Sequence, residues 1–259
     1  MENFNYKKKY GQNFLIDKRI IKKIVSSVTP TKEDLIIEIG AGSGSLTKEL
    51  QDFEANILSY EIDLETKNDL DKLANEKTKF IFDDFLKRDL SEDIKDIKFK
   101  DLYIVANLPY YITTPIIEKI IKSDIKPQKM ILMVQKEVAD RLSAKPKTKA
   151  YGYITVYLNY HFQIRKLFDI SRAAFVPKPN VESTVIELTS HSKYKCNNEE
   201  LFIKLVKDAF KQKRKTIGNN LANYDKQKIE KILHEHKFSL KSRAEEISVE
   251  IFVQISNAL

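Results

Sequence analysis

Two spacings of apolar residues alternate along the first half of this chain. Short, largely β-branched runs recur at Leu35-Ile36-Ile37-Glu38-Ile39, Asn56-Ile57-Leu58-Ser59-Tyr60, Phe80-Ile81-Phe82, Leu102-Tyr103-Ile104-Val105-Ala106 and Met130-Ile131-Leu132-Met133-Val134. Their length and composition predict strands. Helical spacing appears at Ile20, Ile21, Ile24, Val25 and Val28 behind a capping Asp17, and at Ile116, Ile117, Ile120 and Ile121 behind Thr114-Pro115. Strands alternating with helices predict an α/β domain. Tyr153 to Phe162 and Thr184 to Leu188 predict two closing strands, joined through the proline-stiffened loop Phe175-Val176-Pro177-Lys178-Pro179-Asn180-Val181-Glu182-Ser183. From His191 to Asn198 the chain turns polar, and beyond it the pattern is helical, with Leu201, Leu205, Val206, Ala209 and Phe210 in the first segment. The reading is therefore one domain over 1–190, with a basic amphipathic lead-in at 1–34, and a smaller helical domain over 191–259.

Composition narrows the classes. An apolar content of 42% in 259 residues supports a substantial core. The single cysteine, Cys196, excludes an intramolecular disulfide and a cysteine-built metal site. His161, His191, His234 and His236 are scattered, which argues against a zinc site or a catalytic triad. No apolar segment follows Met1 and no run reaches membrane-spanning length, so a cytoplasmic protein without a membrane partner is expected. The net charge of +8 suits a polyanionic partner, although a lysine-rich composition alone produces the same excess. Two clusters stand out: Lys145, Lys147 and Lys149 in the loop 143–152, and Lys211-Gln212-Lys213-Arg214-Lys215 at the end of the first C-terminal helix. Both fit RNA phosphates; a solvated loop and complementarity to the helix dipole explain them equally well.

The strand at 35–39 runs into Gly40-Ala41-Gly42-Ser43-Gly44 before a helical run from Ser45 to Leu50. Such glycines permit a tight turn and let a ligand approach the backbone at a helix N-terminus. A dinucleotide fingerprint requires its third glycine where this chain has Ser45, which disfavours a nicotinamide cofactor. Strand, acid, then alternating glycines and a helix is the arrangement of methyltransferases that use S-adenosylmethionine; a plain glycine-rich turn is the alternative. Glu61 ends the next strand, 21 residues after Gly40, where an acid accepts hydrogen bonds from ribose hydroxyls. Asp83 or Asp84 could receive an adenine amine with Phe85 flanking the ring; capping of the next helix is the equal alternative.

Asn107-Leu108-Pro109-Tyr110 sits at the tip of the fourth strand. Pro109 fixes its own φ and pushes Leu108 out of the helical region, leaving the Leu108 carbonyl beside the Asn107 amide oxygen. Two adjacent acceptors grip the N–H groups of a flat aromatic amine and favour a pyramidal nitrogen whose lone pair aims at an electrophile. Tyr110 would stack on an extruded base, and Phe175 would face it from the proline-stiffened loop. A plain strand end and turn is the bland alternative.

Taken together, Gly11-Gln12-Asn13-Phe14-Leu15, Glu38-Ile39-Gly40-Ala41-Gly42-Ser43-Gly44, Asn107-Leu108-Pro109-Tyr110 with Thr113-Thr114-Pro115, and the loop from Phe175 to Ser183 resemble the ribosomal RNA adenine dimethyltransferase family over nearly the whole chain. Gln135-Lys136-Glu137-Val138-Ala139, Arg141-Leu142, Tyr151-Gly152, Lys213-Arg214-Lys215-Thr216 and Arg243-Ala244-Glu245 resemble its housekeeping type more than the macrolide-resistance type. The resemblance implies a Rossmann-like methyltransferase domain with a small all-α C-terminal domain. It implies dimethylation of two adjacent adenosines in the 3′-terminal hairpin of small-subunit ribosomal RNA, with a small-subunit assembly intermediate as partner and a monomeric enzyme. It further implies a cofactor set of Asn13, Leu15, Gly40, Gly42, Glu61, Asp84, Phe85 and Asn107, a target amine held by Asn107 and Leu108, and a base between Tyr110 and Phe175. Two positions depart from the family pattern: Tyr111 stands where Asn is frequent, and Gly218 where a basic residue is common.

Overall fold

The computed structural model describes residues 13–109, 112–123 and 125–259. Their contacts divide the chain into two units, 1–139 with 165–190, and 140–164 with 191–259. The segment 140–164 thus clusters with the C-terminal helices, where the sequence reading had assigned it to the first domain.

The first unit is built on a mostly parallel sheet. Its strands are β2 (Leu35–Ile39), β3 (Asn56–Glu61), β4 (Thr78–Phe82), β5 (Leu102–Asn107), β6 (Lys129–Gln135), β7 (Phe162–Ile170) and β9 (Ser183–Ser190), in the order β4-β3-β2-β5-β6-β9-β7. A separate two-residue pair joins β1 (Phe14–Leu15) to β8 (Phe175–Val176), with Leu15 opposite Phe175. All five residues of β2 are buried, as befits a central strand covered on both faces. β2 pairs in parallel with β3 on one side and β5 on the other, so the order reverses there. Ligand crevices of open α/β sheets open beyond the C-terminal ends of strands at such a reversal. The register Ile39↔Ala106 brings the next residues, Gly40 and Asn107, to the same level. Helices α1 (Lys18–Val25) and α2 (Ser45–Leu50) bury Ile21, Ile24, Val25, Leu46 and Leu50 in one core cluster with Ile36, Val105 and Ile131. β6 continues into α6 (Lys136–Leu142), and α5 (Thr113–Lys122) precedes it.

The second unit contains α7 (Tyr153–His161), α8 (Glu199–Ala209), α9 (Ile217–Asn220), α10 (Lys226–Glu235) and α11 (Val249–Ala258). The expected strand at 153–162 is the helix α7. Its Gly152 N–H donates to Thr155 Oγ1 at 3.3 Å, and Thr155 Oγ1 donates in turn to the Arg141 carbonyl at 2.7 Å. Thr155, Val156, Tyr157, Leu158 and Tyr160 are all buried, and burial on every side removes the 3.6-residue stripe by which a helix is read. Packing overrides the local β preference of these residues. The core here gathers Tyr151, Val156, Phe202, Leu205, Leu233 and Phe252.

Candidate active site

The turn after β2 needs its glycines for different reasons. Gly40 has φ +82°, and a side chain there would approach the Asn107 carbonyl to 3.5 Å. Gly44 has φ +73°, and its missing Cβ would lie 2.4 Å from Leu73 Cδ1. The first glycine is called for by its left-handed backbone, since a Cβ there would make only an ordinary contact; the second also lets α2 start against the segment 70–73. The Gly40 amide donates to the Tyr60 carbonyl at 2.8 Å, which ties the turn to β3.

A cleft of about 850 Å³, counted out to its mouth, opens over these strand ends. Asn13, Gly40, Gly42, Glu61, Asp84, Phe85 and Asn107 line it together, with Leu108 and Pro109 beside them. Glu61 is buried, and its two carboxylate oxygens accept from the Gly42 amide at 2.7 Å and the Asp63 amide at 2.8 Å. Burial raises its pKa, and those two amides work in the opposite direction. Asp84 Oδ1 accepts from the Leu86 amide at 3.0 Å and so caps the short turn that follows; Asp83 Oδ1 accepts from the Asp84 amide at 2.7 Å. Both aspartates line the cleft, and Asp84 is the one that caps. Phe85 stands edge-on to Tyr60, with ring centroids 5.0 Å apart.

Asn107 Nδ2 donates to the Asn13 backbone carbonyl at 3.1 Å. A carbonyl can only accept, so the amide must turn its NH2 that way, and Oδ1 becomes the acceptor end. The Leu108 amide donates to the Met133 carbonyl at 3.2 Å, and among the described residues no N–H donates to the Leu108 carbonyl. The sequence reading required that carbonyl to stay outside a helix.

Tyr110 and Tyr111 lie outside the described residues. Phe175 is 3% exposed and packs in the core cluster that holds Leu15, Ile170 and Ala174. It does not line the cleft, so the structure does not show it as the open stacking face expected of it. Leu15, also buried, joins the same cluster instead of the lining; the two are opposed across β1 and β8. The lining residues not singled out beforehand are chiefly apolar, among them Ile39, Ile62, Leu86, Ile112 and Ile116. Their position next to the motifs was the available signal.

The donor set suits S-adenosylmethionine. Glu61, Asp83 and Asp84 contribute carboxylates, no Lys or Arg among the described residues lines the cleft, and isoleucines and Phe85 supply apolar surface. Such a lining favours a cation that carries a flat ring and vicinal hydroxyls.

Lys145, Lys147, Lys149, Lys211, Lys213, Arg214 and Lys215 are all exposed within the second unit. Lys213 Nζ donates to the Lys149 carbonyl at 3.0 Å, which joins the two clusters. α8 ends at Ala209, so the run 211–215 lies past the helix rather than on it. Gly218 is buried, and a Cβ there would meet Leu240 Cβ at 2.9 Å and the Leu240 carbonyl at 3.0 Å, so a long basic side chain has no room at this position.

A family model described as ribosomal RNA adenine dimethylase matches residues 3–259. The ribosomal RNA small subunit methyltransferase A of Clostridioides difficile (strain 630) is 42% identical over 267 residues, covering 99% of this chain and 92% of the relative. The protein of the same name from Lactococcus lactis subsp. lactis (strain IL1403) is 39% identical, covering 99% and 91%. Among solved structures, a dimethyladenosine transferase from Plasmodium falciparum has a TM-score of 0.78 at 22% identity, covering 93% of this chain and 95% of that one. The 23S rRNA methyltransferase ErmE has a TM-score of 0.75 at 23% identity, covering 95% and 99%. The two structural likenesses describe the Rossmann-like fold.

Proposed function

The chain belongs to the ribosomal RNA adenine dimethylase family, and from that premise we propose how its cleft performs methyl transfer to adenine N6. It is a methyltransferase of ribosomal RNA that uses S-adenosylmethionine. Our reading of the substrate is two adjacent adenosines in the 3′-terminal hairpin of small-subunit ribosomal RNA, met on an assembly intermediate in the cytoplasm by a monomeric enzyme.

S-adenosylmethionine would supply an electrophilic methyl on a positively charged sulfur, which would leave as a neutral thioether when its bond to that methyl breaks. Glu61, with its carboxylate fixed by the Gly42 and Asp63 amides, would accept from the ribose hydroxyls. Asp84 would accept from the cofactor's adenine amine beside Phe85, and Gly40 and Gly42 leave the backbone bare. Asn107 Oδ1 and the Leu108 carbonyl hold the target amine, and Tyr110 stacks on the flipped base. The two acceptors localise the nitrogen lone pair that the ring would otherwise delocalise, and they align it for in-line attack. The methylated nitrogen is strongly acidic and releases its proton to solvent, so no side-chain base is required. A second round must regrip an amine with one remaining N–H. Lys145, Lys147, Lys149, Lys211, Lys213, Arg214 and Lys215 contact RNA phosphates.

The observation that carries this reading is the Asn107 amide, oriented by Asn13 inside the cleft that Gly40 and Glu61 line. The test is primer-extension mapping of small-subunit RNA from a strain lacking the protein, followed by incubation of that RNA with purified protein and labelled S-adenosylmethionine. Loss of two adjacent stops near the 3′ end, restored by the protein, is expected; restoration of a stop elsewhere would replace the substrate proposed here.

A further inference from the structure

A second concavity lies beside the cleft, still in the first unit and outside both basic clusters discussed above. Lys87, Arg88, Lys119 and Lys122 line it, against the carboxylates of Asp89 and Glu118. Leu86 lines both hollows; Ile112, just before α5, and Ile116 within it line the cleft, and Pro115, Glu118, Lys119 and Lys122 of α5 line the groove.

The charges in the groove are unequally committed. Arg88 is held by Asp93, with Asp83 at 3.5 Å on its other side. Asp89 Oδ1 accepts from the Ser91 and Glu92 amides at 3.0 and 3.2 Å, as the cap of the helix Leu90–Ile94. Lys87, Lys119 and Lys122 have no carboxylate partner among the described residues, and Lys87 and Lys122 are exposed. Three unpaired ammonium groups around a concave surface form a track for a polyanion, and the neighbouring cleft determines which one.

We propose that this groove holds the phosphate backbone of the RNA strand flanking the target adenosine, with Lys87, Lys119 and Lys122 as positioning residues. The proposal rests on the functional reading above. Splaying one base into the cleft turns its neighbours' phosphates outward, and the shared Leu86 places the Lys87 end of the groove next to the cleft.

The experiment compares the wild-type protein with the triple variant Lys87→Gln, Lys119→Gln, Lys122→Gln. Equilibrium binding to small-subunit RNA is measured between about 50 and 200 mM salt, alongside S-adenosylmethionine affinity by calorimetry. Each lost phosphate contact removes about 0.7 from the slope of log affinity against log salt for a single strand. The variant should therefore be shallower by about 2, and the affinity ratio between wild type and variant should shrink by about 20-fold across that range. Cofactor affinity should stay within about twofold. An unchanged salt slope with normal cofactor binding would overturn the proposal. A parallel loss of cofactor affinity would also overturn it, because the lysines would then belong to the cofactor pocket. RNA binding is read without methylation, so a wild-type protein that binds RNA with the expected slope yet transfers no methyl would refute the functional reading and leave the groove assignment standing.

Discussion

Asn107 and Asn13 are 94 residues apart in the chain, and the side-chain amide of the first donates to the backbone carbonyl of the second at 3.1 Å. That one bond decides which end of the Asn107 amide is the donor and which the acceptor. Asn107→Ala removes the acceptor without touching the basic clusters. Transfer should fall by about two to three orders of magnitude, the usual effect of deleting one preorganised polar contact to a reacting centre, while RNA affinity stays within about threefold. Single-turnover methylation beside filter binding reads both, and unchanged transfer would remove Asn107 from the mechanism. Asn107→Asp should be no better, because an ionised carboxylate meets the Asn13 carbonyl with repulsion.

Gly44 offers a test of the turn apart from chemistry. With φ at +73° and Leu73 Cδ1 2.4 Å from the missing Cβ, Gly44→Ala combines backbone strain with overpacking. Together these should cost about 2–4 kcal/mol. The double variant Gly44→Ala, Leu73→Ala relieves the clash but not the strain, and it leaves a cavity of its own. Thermal unfolding should therefore show an effect smaller than the sum of the two single substitutions.

Glu38 carries the pH dependence of the sheet. It is fully buried; Oε2 accepts from Thr47 Oγ1 at 2.6 Å and Ser59 Oγ at 2.7 Å, and Oε1 has no hydrogen-bond partner among the described residues. Burial raises its pKa from 4.5 to about 7. The folded state therefore binds this proton more tightly than the unfolded chain. The associated stability is complete below pH ~4.5 and is lost as the pH rises through about 7. At full ionisation the cost is at most about 3 kcal/mol. Glu38→Gln cannot ionise, so its melting temperature relative to wild type should rise between pH 5 and pH 8.5. A difference independent of pH would mean that Glu38 does not titrate in the folded state.

Residues adjacent in sequence made much of this site legible. The strand into Gly40, Gly42 and Gly44, the acid at Glu61, and Asn107 at the end of a strand each carry their context within a few residues, and all but Gly44 line one cleft. What escaped the sequence depends on distant partners. The two-residue strands β1 and β8 pair Phe14 with Val176 and Leu15 with Phe175, partners about 160 residues apart in the chain. Tyr153–His161 reads locally as a strand because its β-branched and aromatic residues are buried on every side of a helix. The stretch around Lys87 shows no periodicity, and its place beside Lys119 and Lys122 depends on helices from two separate crossovers.

Tyr110 tests stacking. If its ring face binds the flipped base, Tyr110→Ala should lose about 1–3 kcal/mol of transition-state stabilisation, and Tyr110→Phe should lose little. Steady-state kcat/KM on the RNA separates the two, and equal losses would point to the hydroxyl instead.

Phe175 tests the opposite case, a residue expected to stack that the structure buries. At 3% exposure among Leu15, Ile170 and Ala174, its ring acts first as packing. Phe175→Ala should then destabilise the first unit by about 3–5 kcal/mol, and Phe175→Leu by far less, because leucine refills most of the cavity. The decisive quantity is turnover per folded molecule in Phe175→Leu, with the folded fraction fixed by circular dichroism. A core role predicts turnover within about threefold of wild type, since the strand pairing that carries the Ile16 amide to the Ala174 carbonyl at 2.9 Å is backbone and survives the change. A loss of about tenfold or more in a fully folded Phe175→Leu protein would show that the ring leaves the core to meet the base, and the burial seen here would then describe one state of a side chain that moves during the reaction.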